Sequence, residues 1–192
     1  MDDIAVDYTS TGYLEKHFGI LSSADDAKIV SAIVTRRLAI KFYDTPSIAL
    51  YSTALFRQLR HLRITCERNV ELLILPYLEQ IEKLAITNGP ISEYPLNLDL
   101  PLTHTLQRLE LYKSTFSWML GRTFKALREF EADGQRREPE DDSRHEGLQV
   151  DLPACTKLVL SDFPMEYTRL LSCSNVQFLR WSPRHYSGQP PN

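Results

Sequence analysis

Apolar residues recur along the chain in a hexamer whose first, fourth and sixth positions are apolar. The clearest copies are Leu59-x-x-Leu62-x-Ile64, Ile81-x-x-Leu84-x-Ile86 and Leu106-x-x-Leu109-x-Leu111. Weaker copies are Leu127-x-x-Phe130-x-Ala132, Cys155-x-x-Leu158-x-Leu160 and Val176-x-x-Leu179-x-Trp181, with Ile40-x-Phe42 as an N-terminal candidate. The alternation over the last three positions is typical of a short β-strand with one buried face.

The copies are spaced almost evenly. Their central apolar residues stand at positions 40, 62, 84, 109, 130, 158 and 179, in steps of 22, 22, 25, 21, 28 and 21 residues. Leucine-rich repeats have units of about 20–29 residues, and stacked units bury together a core that no single unit can form. The spacing therefore predicts one α/β domain, a right-handed leucine-rich-repeat-like solenoid of six or seven irregular units with short parallel strands and outer helices.

The segments between the hexamers carry helical patterns. Thr45-Pro46 supplies an N-cap followed by proline at the first helical position, and an apolar stripe continues to Leu59. Apolar residues at helical spacing also predict helices over 114–126 and after Pro164. Each unit is thus predicted as a helix, a loop and a strand.

Three further segments complete the predicted organisation. Residues 133–147 contain no apolar side chain, so we expect a flexible insertion there, which also explains the long step of 28 residues. Residues 1–38 carry helical spacing and are predicted as an N-terminal capping segment. The solenoid itself is predicted to span 39–182, and 183–192, with three prolines, is predicted as a disordered tail.

Side chains that alternate with the buried positions are predicted to line the opposite face of the sheet. This face is basic in the early units and acidic in the middle units. Solenoids bind partners through such surfaces. The predicted partner-binding residues are Lys41, Arg63, Lys83, Arg108, Glu110, Tyr112, Glu129, Glu131, Lys157 and Arg180. A dense basic cluster of Arg57, Arg60, His61, Arg63 and Arg68 lies beside them, and is more simply explained as a solvated helix-to-strand junction.

Composition narrows the classes of function. The net charge of −3 favours neither nucleic acid nor an anionic membrane as a partner, and the longest apolar run is far shorter than a membrane span. The seven glycines are too widely spaced to form a phosphate-binding loop. We therefore expect no cofactor, no nucleic-acid partner and no membrane partner.

Cysteine and histidine spacing gives no sign of a metal site. The three cysteines, Cys66, Cys155 and Cys173, lie far apart, and no two of the five histidines have ligand spacing. No G-x-S-x-G elbow is present to nominate a nucleophilic serine. We expect no catalytic residues, reduced thiols, and a cytoplasmic or nuclear location.

Four segments resemble the leucine-rich-repeat-like region of fungal, mushroom-type F-box proteins: 75–86, 100–111, 116–130 and 151–158. The resemblance covers roughly residues 36–182 and implies a repeat region that binds a partner, which an F-box motif then delivers to a ubiquitin ligase. Residues 1–38 contain no proline and no sequence that resembles an F-box. The slot for the regular repeat asparagine holds Glu67, Gly89, Ser114 and Gln135.

The sequence thus favours a non-catalytic protein-binding module, with substrate recognition for a ubiquitin ligase of the F-box type as its specific form. Two alternatives stay open: a small α/β hydrolase or transferase with a spatially assembled site, and a fragment of a larger repeat-containing sensor. The apolar strand around Leu179 and Trp181 is expected to be left open. This predicts self-association through the C-terminal end.

Overall fold

The computed structural model describes residues 4–5, 37–42, 54–66, 75–89, 98–134 and 147–183. Within these ranges the chain forms an α/β structure in which a parallel sheet dominates and helices are few and short. The predicted α/β class with short parallel strands is therefore confirmed. Most of the predicted capping segment 1–38, insertion 133–147 and tail 183–192 lies outside the described residues.

Eight strands form the main sheet, and they follow one another across it in chain order. They are β1 (Ile4–Ala5), β2 (Arg37–Phe42), β3 (His61–Cys66), β4 (Lys83–Thr87), β5 (Arg108–Tyr112), β6 (Glu129–Asp133), β8 (Lys157–Phe163) and β10 (Phe178–Pro183). Every neighbouring pair is parallel. A small second sheet pairs β7 (Val150–Asp151) with β9 (Leu171–Ser172), also in parallel. Nothing in the apolar pattern predicts β1.

The helices of the described ranges are each five residues or shorter. They are α1 (Ala54–Gln58), α2 (Leu102–Thr105) and α3 (Met165–Thr168), with 3₁₀ turns at Leu75–Tyr77 and Ser117–Met119. The helix predicted after Pro164 is present as the single turn α3. In the described part of the segment after Thr45-Pro46, only α1 is helical.

The helix predicted over 114–126 is wrong. Only the 3₁₀ turn forms there, and Gly121 then adopts a left-handed φ of 70°. The N–H groups of Gly121 and Phe124 donate to the carbonyls of Gln149 and Asp151 at 2.8 and 2.9 Å. The segment therefore satisfies its backbone against a neighbouring segment, which removes the need for an internal helical ladder.

Two ladders of apolar side chains run under the sheet and form its core. One contains Leu62, Leu84, Leu109, Phe130, Leu158 and Leu179, and the other Ile64, Ile86, Leu111, Ala132, Leu160 and Trp181. All are buried from β3 to β8, whereas Leu179 and Trp181 on β10 are 61% and 46% exposed. The predicted hexamer register is confirmed across these strands, and the exposure of Leu179 and Trp181 agrees with the expectation that the last apolar strand is left open.

The register of β2 differs from the sequence prediction. Leu38 pairs with Leu62, which places Ile40 beside Ile64 and Lys41 beside Thr65. The prediction set Ile40 level with Leu62 and is wrong by two residues. A shift of two residues keeps every position of a strand on the same face, so the apolar pattern alone does not reveal it.

The same backbone hydrogen bonds recur at the start of successive strands. One carbonyl accepts two consecutive N–H groups of the following strand or its approach, at N···O distances of 2.7–3.1 Å. The acceptors are the carbonyls of Arg60, Glu82, Gln107, Arg128 and Thr156. Each junction thereby fixes the register of the next strand before its side chains pack.

A residue with left-handed backbone conformation recurs at the opposite end of the strands. Four residues at or near strand ends have a left-handed φ of 47–59°: Asn88, Lys113 and Gly134 directly follow β4, β5 and β6, and Asp162 precedes the last residue of β8. The N–H groups of the first three donate to the next strand at 2.7–3.0 Å. The chain therefore leaves successive strands through the same turn.

Ser114 links two neighbouring units through a buried hydroxyl. Its Oγ accepts the Gly89 N–H at 3.2 Å and lies 3.2 and 3.0 Å from the carbonyl oxygens of Ile86 and Tyr112, one of which receives its proton. Ser114 and Gly89 occupy the slot that regular leucine-rich repeats give to asparagine. A serine thus satisfies locally the backbone groups of this turn.

Replacing Ser114 with alanine tests that link. We expect Ser114→Ala to lower the free energy of unfolding by about 1–3 kcal/mol, because the buried Gly89 N–H loses its acceptor. The matched change Ser182→Ala, at an exposed position of β10, is expected to stay within about 0.5 kcal/mol of the parent chain. Urea unfolding measures both, and equal stability of the two variants would contradict a structural role for the hydroxyl.

Candidate functional site

The residues that alternate with the core ladders lie on the other side of the sheet, which we call the strand face. Register places them in three rows. The rows are His61, Lys83, Arg108, Glu129, Lys157 and Phe178; Arg63, Ala85, Glu110, Glu131, Val159 and Arg180; and Thr65, Thr87, Tyr112, Asp133, Ser161 and Ser182. Val159 is buried, whereas the other members are partly or fully exposed.

Nine of the ten sequence-predicted binding residues occupy this strand face. Arg63, Lys83 and Arg180 are exposed, and the other six lie half-buried on β5, β6 and β8. The tenth, Lys41, lies on β2 at the register of Thr65, and its side chain is outside the described part of the chain.

Six side chains in the middle of the strand face form one connected group, which we call the charge network. It consists of Arg108, Glu110, Tyr112, Glu129, Glu131 and Lys157. Arg108 Nε lies 2.6 Å from Glu110 Oε1, and its Nη1 lies 3.2 Å from Glu129 Oε2. Lys157 Nζ is 3.4 Å from the same Glu129 oxygen. The network therefore spans three strands and holds three carboxylates against two cations.

Tyr112 connects the remaining carboxylate, that of Glu131, to Glu110. Its hydroxyl lies 3.1 Å from Glu131 Oε1 and 3.5 Å from Glu110 Oε2, and donates its proton to this pair. Burial, followed by the charges of Glu110 and Glu131, raises the pKa of Tyr112 to about 12. The phenol is therefore neutral at pH 7, where it serves as a donor and not as a base.

Arg108 remains a cation throughout the physiological range. Partial burial acts to lower its pKa, but the charges of Glu110, Glu129 and Glu131 and the hydrogen bond to Glu110 outweigh burial, so the pKa is raised. Such paired, half-buried groups hold fixed positions. The chemistry they offer is recognition of charged or hydrogen-bonding groups.

Three exposed cations, Arg63, Lys83 and Arg180, flank the charge network, and Arg63 is also a member of the basic cluster noted in the sequence. Among the described residues, Arg63, Lys83 and Arg180 have no ion-pair partner. In contrast, Arg57 pairs with Glu79 at 3.3 Å and Arg60 pairs with Glu82. The cluster therefore does not converge on one site in the described part of the chain, and Arg68 lies outside it. Only Arg63 and His61 of this group belong to the strand face.

A polar pocket of 310 Å³ lies away from the strand face, beside α2. Its buried Arg122 donates through Nη1 to the Leu98 carbonyl at 2.7 Å and through Nε to the Trp118 carbonyl at 3.1 Å. Burial lowers the pKa of Arg122. Nothing in the local sequence singles out Arg122, because its partners are backbone atoms of two separate segments. Its role here is to hold those segments together.

The same pocket contains the closest histidine–carboxylate approach of the described residues. His104 Nε2 is 3.9 Å from Asp99 Oδ1, and both side chains are exposed. The hydroxyls nearby are engaged elsewhere: Thr103 donates to the Leu100 carbonyl at 2.8 Å and Thr123 to Asp151 at 3.2 Å. No group of three or more possible metal ligands occurs in the described ranges.

An apolar groove of 350 Å³ opens beside β10. Leu158 and Leu160 form its floor, and Cys173, Leu179 and Trp181 contribute to its walls. On the strand face of the same edge, Phe178 is 53% exposed. The sequence expectation of an open apolar last strand agrees with this exposure. Self-association through it stays a prediction, which light scattering with size-exclusion chromatography tests.

Comparison with known proteins gives no relative for this chain. No family model matches it, and no curated protein and no solved structure is significantly similar to it. No helix in the described ranges has the length and apolar character needed to cross a membrane.

The pKa of Tyr112 tests the charge network directly. We expect the double variant Glu110→Gln/Glu131→Gln to lower this pKa from about 12 while leaving it above the ordinary value of 10, because burial is the largest cause of the shift. In the parent chain, a raised pKa means that the neutral phenol stabilises the fold below pH 10 and that this contribution is lost between about pH 10 and 12.

Ring resonances of labelled tyrosine, followed by NMR over pH and assigned with Tyr112→Phe, measure that pKa. Glu79→Gln, an exposed glutamate of the Arg57 pair, is the matched control and should leave it unchanged. An identical Tyr112 pKa in the double variant would show that the carboxylates do not approach the phenol in solution.

Proposed function

We propose that this protein is a non-catalytic protein-interaction module that binds a polypeptide on its strand face. The observation that carries the proposal is the charge network, because its charged groups are fixed before any partner arrives. The Glu110 side chain, for example, is only 14% exposed and is held by Arg108. Groups ordered in advance lose less conformational entropy on binding than free surface charges do.

The charges of the strand face define the partner chemistry. In the described residues Glu131 has a neutral phenol as its hydrogen-bond partner and no ion pair, so its negative charge is available to a lysine or arginine of the partner. Arg63 and Lys83 lie on adjacent strands and favour acidic side chains. A bound segment that runs across the strands would therefore present acidic residues over β3 and β4 and a basic residue over β6.

The specific fold that we propose is a right-handed leucine-rich-repeat-like solenoid. It is supported by the chain-order parallel sheet, the recurring carbonyl at the strand starts and the recurring left-handed residue at the strand ends. Short turns replace most of the outer helices in the described ranges. Ser114 takes the place of one repeat asparagine.

As the biological form of this binding, we propose substrate recognition in a ubiquitin ligase of the F-box type. The support is the sequence resemblance over roughly residues 36–182. The partner bound on the strand face would then be the protein that is ubiquitylated. Its ubiquitylation in cells would fall when the strand face is altered.

A charge reversal on the strand face tests the binding proposal. We expect Arg63→Glu/Glu131→Lys to weaken binding of the partner by about tenfold or more, since each reversal places like charges in contact. The control Arg57→Glu/Glu79→Lys reverses an exposed ion pair outside the strand face and conserves net charge in the same way. It should bind as the parent chain does.

The measurement has two stages. The partner is first captured from source cells with the parent chain and identified, and then its dissociation constant with each purified variant is measured by calorimetry. Circular dichroism and thermal unfolding establish that the variants are folded. Equal affinity of the strand-face variant and the parent chain would contradict the proposal.

A further inference from the structure

Two of the three cysteines, Cys155 and Cys173, lie in neighbouring segments that precede the last two long strands, β8 and β10. Cys155 is buried in the turn before β8, and its Sγ donates to the Lys157 carbonyl at 3.3 Å. Cys173 follows β9, is half-buried and lines the apolar groove. Hydrogen bonding between the two thiols is the largest cause of both pKa shifts: it lowers the pKa of Cys155 and, together with burial, raises the pKa of Cys173.

Backbone and side-chain hydrogen bonds hold the two turns together around this pair. The Leu152 N–H donates to the Ser172 carbonyl at 2.8 Å, and Asn175 Nδ2 donates to the Pro153 carbonyl at 2.6 Å. Cys66, in contrast, is on β3, with β4, β5 and β6 between it and β8. The fold therefore joins two thiols that stand 18 residues apart in the sequence and keeps the third remote.

We propose that Cys155 and Cys173 are a site of reversible disulfide formation, reached by a small disulfide oxidant of the glutathione type through the groove beside β10. The hydrogen bonds between the two turns hold the thiols as neighbours, and the sulfurs must then close to the bonding distance of about 2 Å. The disulfide would fasten the turn before β8 to the segment before β10. It would thereby stabilise the edge of the sheet whose apolar face is open.

The reaction proceeds by two exchanges. One thiol of the pair loses its proton to water, and its thiolate attacks one sulfur of oxidised glutathione and releases the first glutathione thiolate. The second thiol then attacks the protein sulfur of the mixed disulfide, that disulfide breaks, and the second glutathione leaves with the proton of the second thiol. Two protein thiols are oxidised and one glutathione disulfide is reduced to two glutathione thiols.

Oxidation of the folded parent chain with oxidised glutathione is the test. After the remaining thiols are alkylated in denaturant, we expect mass spectrometry of the digest to show the peptides of Cys155 and Cys173 joined and Cys66 alkylated. Closing a loop of this size should raise Tm by about 6–12 °C. Dithiothreitol should reverse both changes.

Single substitutions test whether both thiols are required. We expect Cys155→Ser and Cys173→Ser each to lose the joined peptides and the rise in Tm, while Cys66→Ser behaves as the parent chain. The proposal would be overturned if Cys66 joined either of the other cysteines. It would equally be overturned if Cys155 and Cys173 both stayed alkylatable under conditions that oxidise the unfolded chain.

Discussion

The in-register stacking of parallel strands is the constraint on which the rest of the structure depends. Each strand from β3 to β8 contributes two apolar side chains to the core, and no strand buries them alone. They are buried because the next strand places its own two apolar side chains in register beside them. The recurring carbonyl at each strand start fixes that register through backbone hydrogen bonds. Loss of register at one junction would therefore expose both ladders.

The same constraint sets the positions of the strand-face side chains. When the core positions are level, the alternate positions are level as well, and this brings Arg108, Glu110, Glu129 and Lys157 within bonding distance across three strands. Among the described strands the ladders end at β10, where Leu179 and Trp181 remain exposed and Cys173 lines the adjacent groove. The charged face and the apolar edge are thus two consequences of one arrangement.

The sequence predicted most of the features that follow from the regular spacing of apolar residues. It predicted few of the features that depend on contacts between segments far apart in the chain. The hexamers placed β3, β4, β5, β6, β8 and β10 and nine strand-face residues, because alternation is local. The helix over 114–126 was wrong because its N–H groups bond to residues 149–151, which helical spacing does not reveal. The register of β2 was wrong by two because its faces are unchanged by that shift. The sequence did not reveal Arg122, because the carbonyls to which it donates belong to the backbone. It did not reveal the thiol pair, because the two cysteines are remote from each other in the chain.

Lysine reactivity in the complex tests most directly whether the strand face is the binding surface. The captured partner is bound to the parent chain, and acetylation of each lysine is compared with and without it. The account predicts that Lys83 and Lys157, on the strand face, lose reactivity in the complex. Lys125, exposed in the loop before β6, should react as before. Protection of Lys125 with unchanged reactivity of Lys83 and Lys157 would contradict the account.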